Sequence, residues 1–195
     1  YKMYSVVTSV DHAAIGINAN AEKKTRKDEG NADLVALFNG VSQSGQPLIN
    51  YIFDNIDVPQ VVNFLAGHVL QNDEDCCHKN YYFYRDTEGN KEWKMTPWDV
   101  DLSFGHTWTA DLNYFNPTNY ATNRYSANSL DIGMNNRLPA ALNSIPWIRQ
   151  MYLRRVRTIT DEQLQPLGTH PYLLHFENKV EQLAAPMYAD AALDL

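Results

Sequence analysis

Apolar residues recur at helical spacing in four stretches of the chain and alternate at strand spacing around one turn. Leu34, Leu37, Phe38 and Val41 predict a helix over residues 32–43, with Asn31 as its cap and the segment Ser42 to Pro47 as its break. Asp57 followed by Pro59 reads as the start of a second helix that turns Val61, Val62, Leu65 and Val69 inward. A third begins at Pro146, with Ile148, Met151, Tyr152, Val156 and Ile159 in one stripe, and is closed by Pro166 and Gly168. A fourth runs through Leu173, Phe176, Val180 and Leu183. Residues 1–30 read as short strands and loops, with Tyr4 to Val10 β-rich. Asn80 to Arg85 is aromatic and strand-like, Asp86 to Asn90 turns, and Lys91 to Trp98 returns with Trp93 and Met95 on one face, so a β-hairpin is expected over 81–98. Residues 106–136 are rich in Asn, Thr and Tyr without periodicity, the mark of a functional lid or a partly mobile loop. No internal repeat or low-complexity tract is visible.

Composition narrows the function classes. A length of 195 residues suits one domain with a sizeable core, or one lobe with an appended helical region. No apolar run is long enough to cross a bilayer. The 16 basic and 23 acidic residues give a net charge of −7 spread along the chain, which argues against a nucleic-acid partner. The basic cluster Lys23, Lys24, Arg26, Lys27 is followed at once by Asp28 and Glu29, so it reads as a solvated surface rather than a phosphate contact. The first residue is Tyr1, and the native start is expected to lie upstream of it. The two cysteines, Cys76 and Cys77, are adjacent. A trans peptide spaces neighbouring Cα atoms ~3.8 Å apart, short of the usual ~4.4–6.8 Å of a disulfide, so no bond between them is expected. Cys76, Cys77 and His78 also lack the spacing that lets zinc ligands converge.

Three polar features flank the hairpin. Asp75 precedes Asn80 by four intervening residues, and Asp99 and Asp101 follow the second strand. Phosphoryl transfer needs a carboxylate that accepts the nucleophile's proton and oxygen ligands that hold a hard divalent cation against the phosphates. An Asp-x4-Asn loop supplies the base and an amide ligand, and a hairpin returns a second carboxylate to the same place, which is the order protein kinases use. Read without that chemistry, Asp73 to Asp75 terminates a helix and Asp99 sits at a strand end.

The runs Asn72-Asp-Glu-Asp-Cys-Cys-His-Lys-Asn-Tyr-Tyr-Phe-Tyr-Arg-Asp86 and Trp93-Lys-Met-Thr-Pro-Trp-Asp-Val-Asp-Leu-Ser-Phe-Gly105 closely resemble the CotH (spore coat protein H) kinase family. Tyr1-Lys2, Lys23-Lys-Thr-Arg-Lys-Asp28 and Pro146-Trp-Ile-Arg-Gln-Met-Tyr-Leu-Arg-Arg155 extend the resemblance over most of the chain. It implies an α+β, atypical protein-kinase-like fold, here mostly the helical carboxyl lobe with the hairpin at the active site. It further implies transfer of phosphate from ATP to protein hydroxyls with Mg2+ or Mn2+, in spore-coat, secreted or cell-surface proteins. Carried onto this sequence, the resemblance makes Asp75 the catalytic base, Asn80 a metal ligand and Asp99 the principal metal-binding carboxylate, held by the packing of Trp98, with Asp101 either a second metal ligand or a group that orients the ligands. The conventional His-Arg-Asp and Asp-Phe-Gly triplets are absent from the sequence, as is a Gly-rich loop, Gly16 being no candidate. Residues 1–195 therefore read as a single CotH-kinase-like domain whose amino-terminal lobe is expected upstream, and which is inactive by itself.

The remaining signals take bland readings. His78 orients Asp75 or bonds the backbone, and His12, His68, His106, His170 and His175 take no assignment. Tyr81 to Tyr84 are alternating strand residues, Trp98 packs beneath the metal site, and Arg149, Arg154, Arg155 and Arg157 line a solvated helix face. The rival function is a catalytically silent structural or interaction module of a spore-coat or cell-surface protein. A third is calcium binding by Asp73, Glu74 and Asp75, for which no EF-hand spacing exists.

Overall fold

The computed structural model describes residues 1–4, 21–73, 76–77, 79–104, 130, 133–134, 136–166 and 168–188. The β-rich run after Tyr4 and most of the stretch 106–136 lie outside the described residues. Those described form a mixed α+β arrangement of six helices and one four-stranded antiparallel sheet. Among them no helix is long and apolar enough to cross a membrane.

The sheet has the order β2-β1-β3-β4. Strand β1 (Lys2–Met3) pairs with β2 (Ala21–Glu22) on one side and with β3 (Tyr81–Arg85) on the other. Strand β4 (Trp93–Pro97) pairs with β3 in a register running from Tyr81 opposite Pro97 to Arg85 opposite Trp93. Alternation decides the inner face: Tyr81, Phe83, Trp93 and Met95 are buried, whereas Tyr84 points outward. The Asp86 carboxylate closes the turn by accepting from the backbone N–H groups of Glu88 (3.1 Å) and Gly89 (2.9 Å). The hairpin expected over 81–98 is thus present.

Helix α1 (Ala32–Val41) buries Leu34, Leu37, Phe38 and Val41, and the Phe38 ring meets Phe83 edge-on at 6.0 Å. A helix that the pattern did not announce, α2 (Gly45–Asn55), begins inside the predicted break at Ser42 to Pro47. Gly45 at φ 61° makes the corner, which a side chain would resist. Pro47 lies in the first turn of α2, where its missing N–H has no intrahelical partner to lose. Helix α3 (Val58–Gln71) starts as the sequence signals: the Asp57 side chain accepts from the Gln60 N–H at 3.1 Å and Pro59 sits in the first turn. It buries Val58, Val61, Val62, Phe64 and Leu65 and ends where Asn72 turns left-handed at φ 48°.

A short α4 (Arg137–Asn143), also unannounced, leads into α5 (Pro146–Gln163). Helix α5 lies along α3, burying Ile148 and Tyr152, with the Arg155 guanidinium donating to the Asn63 amide oxygen at 2.6 Å. Helix α6 (His175–Ala184) buries none of its residues, so the apolar spacing seen there in the sequence does not mark a core face.

Strand β4 is docked on α3 by hydrogen bonds as well as by packing. The Asp57 N–H donates to the Trp93 carbonyl at 3.0 Å. One turn on, the Gln60 amide reads the Met95 backbone twice: its oxygen accepts from the Met95 N–H at 2.9 Å, and its nitrogen donates to the Met95 carbonyl. Met95 is fully buried, so water cannot substitute for the amide. Replacing Gln60 by Ala is expected to cost about 2 kcal/mol, two backbone groups each losing roughly 1 kcal/mol of net bonding, measured as a lower urea midpoint.

Tyr81 supplies a pH signature. Its hydroxyl donates to the Asn136 side chain at 3.2 Å, and burial pushes its ionisation well above the ordinary tyrosine range. A raised native pKa means stability is full below the unfolded value near 10 and falls as pH rises past it. Tyr81→Phe is expected to flatten that alkaline fall in a series of urea titrations from pH 8 to 11.

Candidate active site

The two ends of the hairpin converge. Asn80 enters β3 and Asp99 leaves β4, and the Trp98 N–H donates to the Asn80 carbonyl at 3.1 Å, so the residues that frame the strands are held side by side. The Asn80 side-chain amide reaches toward the Asp99 carbonyl at 3.5 Å. Both residues take left-handed backbone, Asn80 at φ 61° and Asp99 at φ 58°, which Asn and Asp tolerate better than other side chains. Asn80 is buried, whereas Asp99 and Asp101 face solvent.

The loop beyond Asp99 folds back on α3. The Ser103 hydroxyl donates to the Val100 carbonyl at 2.7 Å, and the Phe104 N–H donates to the Gln71 carbonyl at 2.7 Å. Gln71 is the last residue of α3, and its carbonyl is one of those a helix end leaves without an internal partner. The chain leaving α3 toward Asp75 and the chain leaving β4 through Asp99 and Asp101 are therefore joined within a few residues of each. Sequence patterns gave no sign of this backbone contact. Asp75 itself lies outside the described residues, as do Glu74 and His78. Of the predicted residues, the structure brings Asn80 and Asp99 together and puts Asp101 two positions further along the same exposed loop.

Several neighbouring residues differ from expectation. Trp98 does not pack beneath Asp99: it is about half exposed, stands edge-on to Tyr82 at 5.7 Å, and carries the Lys2 ammonium 4.7 Å above its ring. Asp73 is turned inward, buried to 1% exposure with its carboxylate 2.8 Å from Nδ1 of His68, which is itself buried. That removes Asp73 from an outward calcium cluster and gives His68 a partner that its five-residue separation in sequence did not reveal. Cys76 and Cys77 are paired with one another in the structure, against the expectation from the sequence that they are not.

The basic cluster also departs from a plain solvated surface. The Lys23 side chain is largely enclosed, donating to the Gly30 carbonyl at 2.8 Å with Asp33 and Glu29 at 3.7 and 3.8 Å. Lys24 donates to Glu22 at 2.5 Å, and that bond with one from Tyr4 holds the Glu22 carboxyl down to about 2. Lys23 borders a pocket with Tyr1, Arg85 and Trp93, at the turn end of the hairpin. The length of strand β3, about 17 Å from Arg85 to Asn80, separates that end from Asn80 and Asp99.

Because left-handed backbone costs roughly 1 kcal/mol or more without a tolerant side chain, Asp99→Ala is expected to lower stability by about that amount. Asp99→Asn is expected to leave it nearly unchanged. Chemical denaturation of the two variants checks this, and marks Asp99→Asn as the cleaner probe of function.

The family model described as CotH kinase protein matches residues 5–187. No curated protein and no solved structure gives a significant match.

Proposed function

The chain belongs to the CotH kinase family, and from that premise we propose that it carries the catalytic and metal-binding portion of an ATP-dependent protein kinase. The family supports kinase-type chemistry, with ATP, a substrate and a divalent metal. The assignment of roles to residues is our own reading. In it, residues 1–195 form one domain equivalent to an atypical kinase carboxyl lobe, with the β3–β4 hairpin at the active site.

The observation that carries the proposal is the meeting of Asn80 and Asp99 across the open end of the hairpin. The Phe104–Gln71 bond, which draws the following loop against the segment leading to Asp75, adds to it. Asn80, Asp99 and Asp101 offer oxygen donors only, the set that magnesium and manganese prefer. A divalent cation held there would neutralise charge on the phosphates. Asp75 is assigned as the base. Its carboxylate takes the proton of a protein hydroxyl as that oxygen bonds to the γ-phosphorus, and the bond to the bridging oxygen breaks with its electrons leaving on ADP. Asp99, fixed by the Trp98–Asn80 bond, is the principal carboxylate, and Asp101 supports it from the exposed loop. A spore-coat, secreted or cell-surface setting is part of the same proposal and rests on family membership alone.

The test is transfer of labelled phosphate from ATP to protein by the complete protein, with magnesium and with manganese. Asp75→Asn is expected to keep nucleotide affinity and lower turnover by about 10²-fold or more. Asp99→Asn is expected to lose metal-dependent nucleotide binding, and Asp101→Asn to weaken it less. Full transfer by the Asp75 variant refutes the assignment of the base, and a more damaging Asp101 variant reverses the ranking of the ligands. Absence of transfer from the unaltered protein with both metals favours the silent structural module instead.

A further inference from the structure

Phosphoryl transfer makes no use of the sulfur pair that lies between Asp75 and Asn80. Cys76 and Cys77 are both buried at 1% exposure. A ring nitrogen of His68 comes within 4.8 Å of both sulfurs. The other participant is Asp73, whose carboxylate sits 2.8 Å from His68 Nδ1. A buried carboxylate and imidazole forgo hydration, and an apolar pair of the same volume would hold this corner of the fold as well. A carboxylate–imidazole pair beside a sulfur is, however, the arrangement that moves a thiol proton. With Asp73 accepting from Nδ1, Nε2 is left to act as the base.

The surroundings give small molecules an approach. His68 lines an open groove of about 300 Å3, walled by Phe64, Gly67, Gln71, Pro97 and Val100. Gly133 packs against Cys77, where a Cβ would sit 3.7 Å from the sulfur. The sulfurs themselves are buried, so the groove beside His68 is the approach that exchange requires.

We propose that Cys76 and Cys77 form a reversible thiol–disulfide exchange site, served by His68 and Asp73, for low-molecular-weight thiols and disulfides. In the oxidising direction one cysteine thiol gives its proton to His68, and the thiolate attacks a sulfur of the small disulfide. The small S–S bond breaks and the first thiolate leaves, taking the proton back from His68. The neighbouring cysteine, deprotonated in turn, then attacks the mixed disulfide at the protein sulfur and expels the second small thiol. The dithiol loses two electrons and two protons, and one small disulfide becomes two small thiols. The reverse sequence reduces the pair. Nothing in this chemistry depends on phosphoryl transfer.

The test is a redox titration of the complete protein, folded, in buffers of set ratios of oxidised to reduced glutathione. Samples are acid-quenched and alkylated, and the peptide holding Cys76 and Cys77 is weighed by mass spectrometry. The expected result is reversible passage between a doubly alkylated peptide and an unalkylated one lighter by two hydrogens. His68→Gln and Asp73→Asn are expected to slow the approach to equilibrium by about tenfold or more. The unaltered protein suffices if a variant fails to fold. A peptide that stays fixed in one state at every ratio while folded, yet exchanges once unfolded, overturns the proposal. So does stable accumulation of the mixed disulfide, or a bound zinc ion that shields the reduced pair from alkylation. Folded variants that exchange at the unaltered rate remove His68 and Asp73 from the mechanism.

Discussion

The clamp of the Gln60 amide on both backbone groups of Met95 sets the geometry on which the rest depends. A strand on a sheet edge has a row of N–H and C=O groups without a partner strand. Here part of that row is taken up by a helix: the N–H of Asp57, which caps α3, bonds to the Trp93 carbonyl, and Gln60 bonds Met95. A primary amide is suited to this because it offers a donor and an acceptor together, as a peptide group does. The Trp93 and Met95 side chains turn into the core while their backbones are bonded, so burial and hydrogen bonding fix one placement of β4. Burial alone would leave the strand free to slide along the helix, since apolar contact is not directional.

That placement carries through to the far end of α3. Helix α3 spans 14 residues, about 20 Å at the helical rise, and β4 with its following loop runs beside it from the cap to the last turn. The chain is fastened at Trp93, at Met95 and again at Phe104, whose N–H meets the Gln71 carbonyl. Asp99 and Asp101 lie between the second and third fastenings. A segment pinned at both ends can hold left-handed backbone at Asp99, which would relax if either end were loose. The exposure of Asp99 is compatible with this order, because its backbone is fixed while its carboxylate faces outward.

Much of the scaffold was legible because its signals are local. Asp57 with Pro59 marks a helix start through groups within three residues of each other, and the alternation of Tyr81, Phe83, Trp93 and Met95 marks a hairpin through strand geometry alone. Pro47 misled because proline reads as a breaker from sequence, whereas its effect depends on whether it falls inside a helix or in its first turn. The order of Asp75, Asn80 and Asp99 was legible as a motif, but the bond that joins their flanking segments runs between backbone atoms of Gln71 and Phe104, which no side-chain pattern encodes. The pairing of His68 with Asp73 was hidden for a related reason. Five residues is not a helical contact spacing, and the two meet only because Asn72 turns left-handed and sends the chain back over the last turn of α3. The apolar spacing of α6 misled in the opposite sense, since periodicity reports a face but not what covers it.

Polar and apolar forces divide the work around the loop of Asp99 in a way that follows from exposure. On the inner side Asn80, Asp73, His68 and Ser103 are buried, and those groups hold the chain through directional bonds. On the outer side the Phe104 ring meets Phe176 of α6 at 5.3 Å, and the Trp98 ring takes Lys2 on its face and Tyr82 against its edge. Each such contact contributes about 1 kcal/mol, too little to choose a backbone conformation by itself. It is enough to bias a conformation that the hydrogen bonds have already selected. Phe104 belongs to both sets, its N–H on α3 and its ring on α6. Among the described residues it thus links helix α6, which lacks any buried side chain of its own, to the loop that carries Asp99 and Asp101.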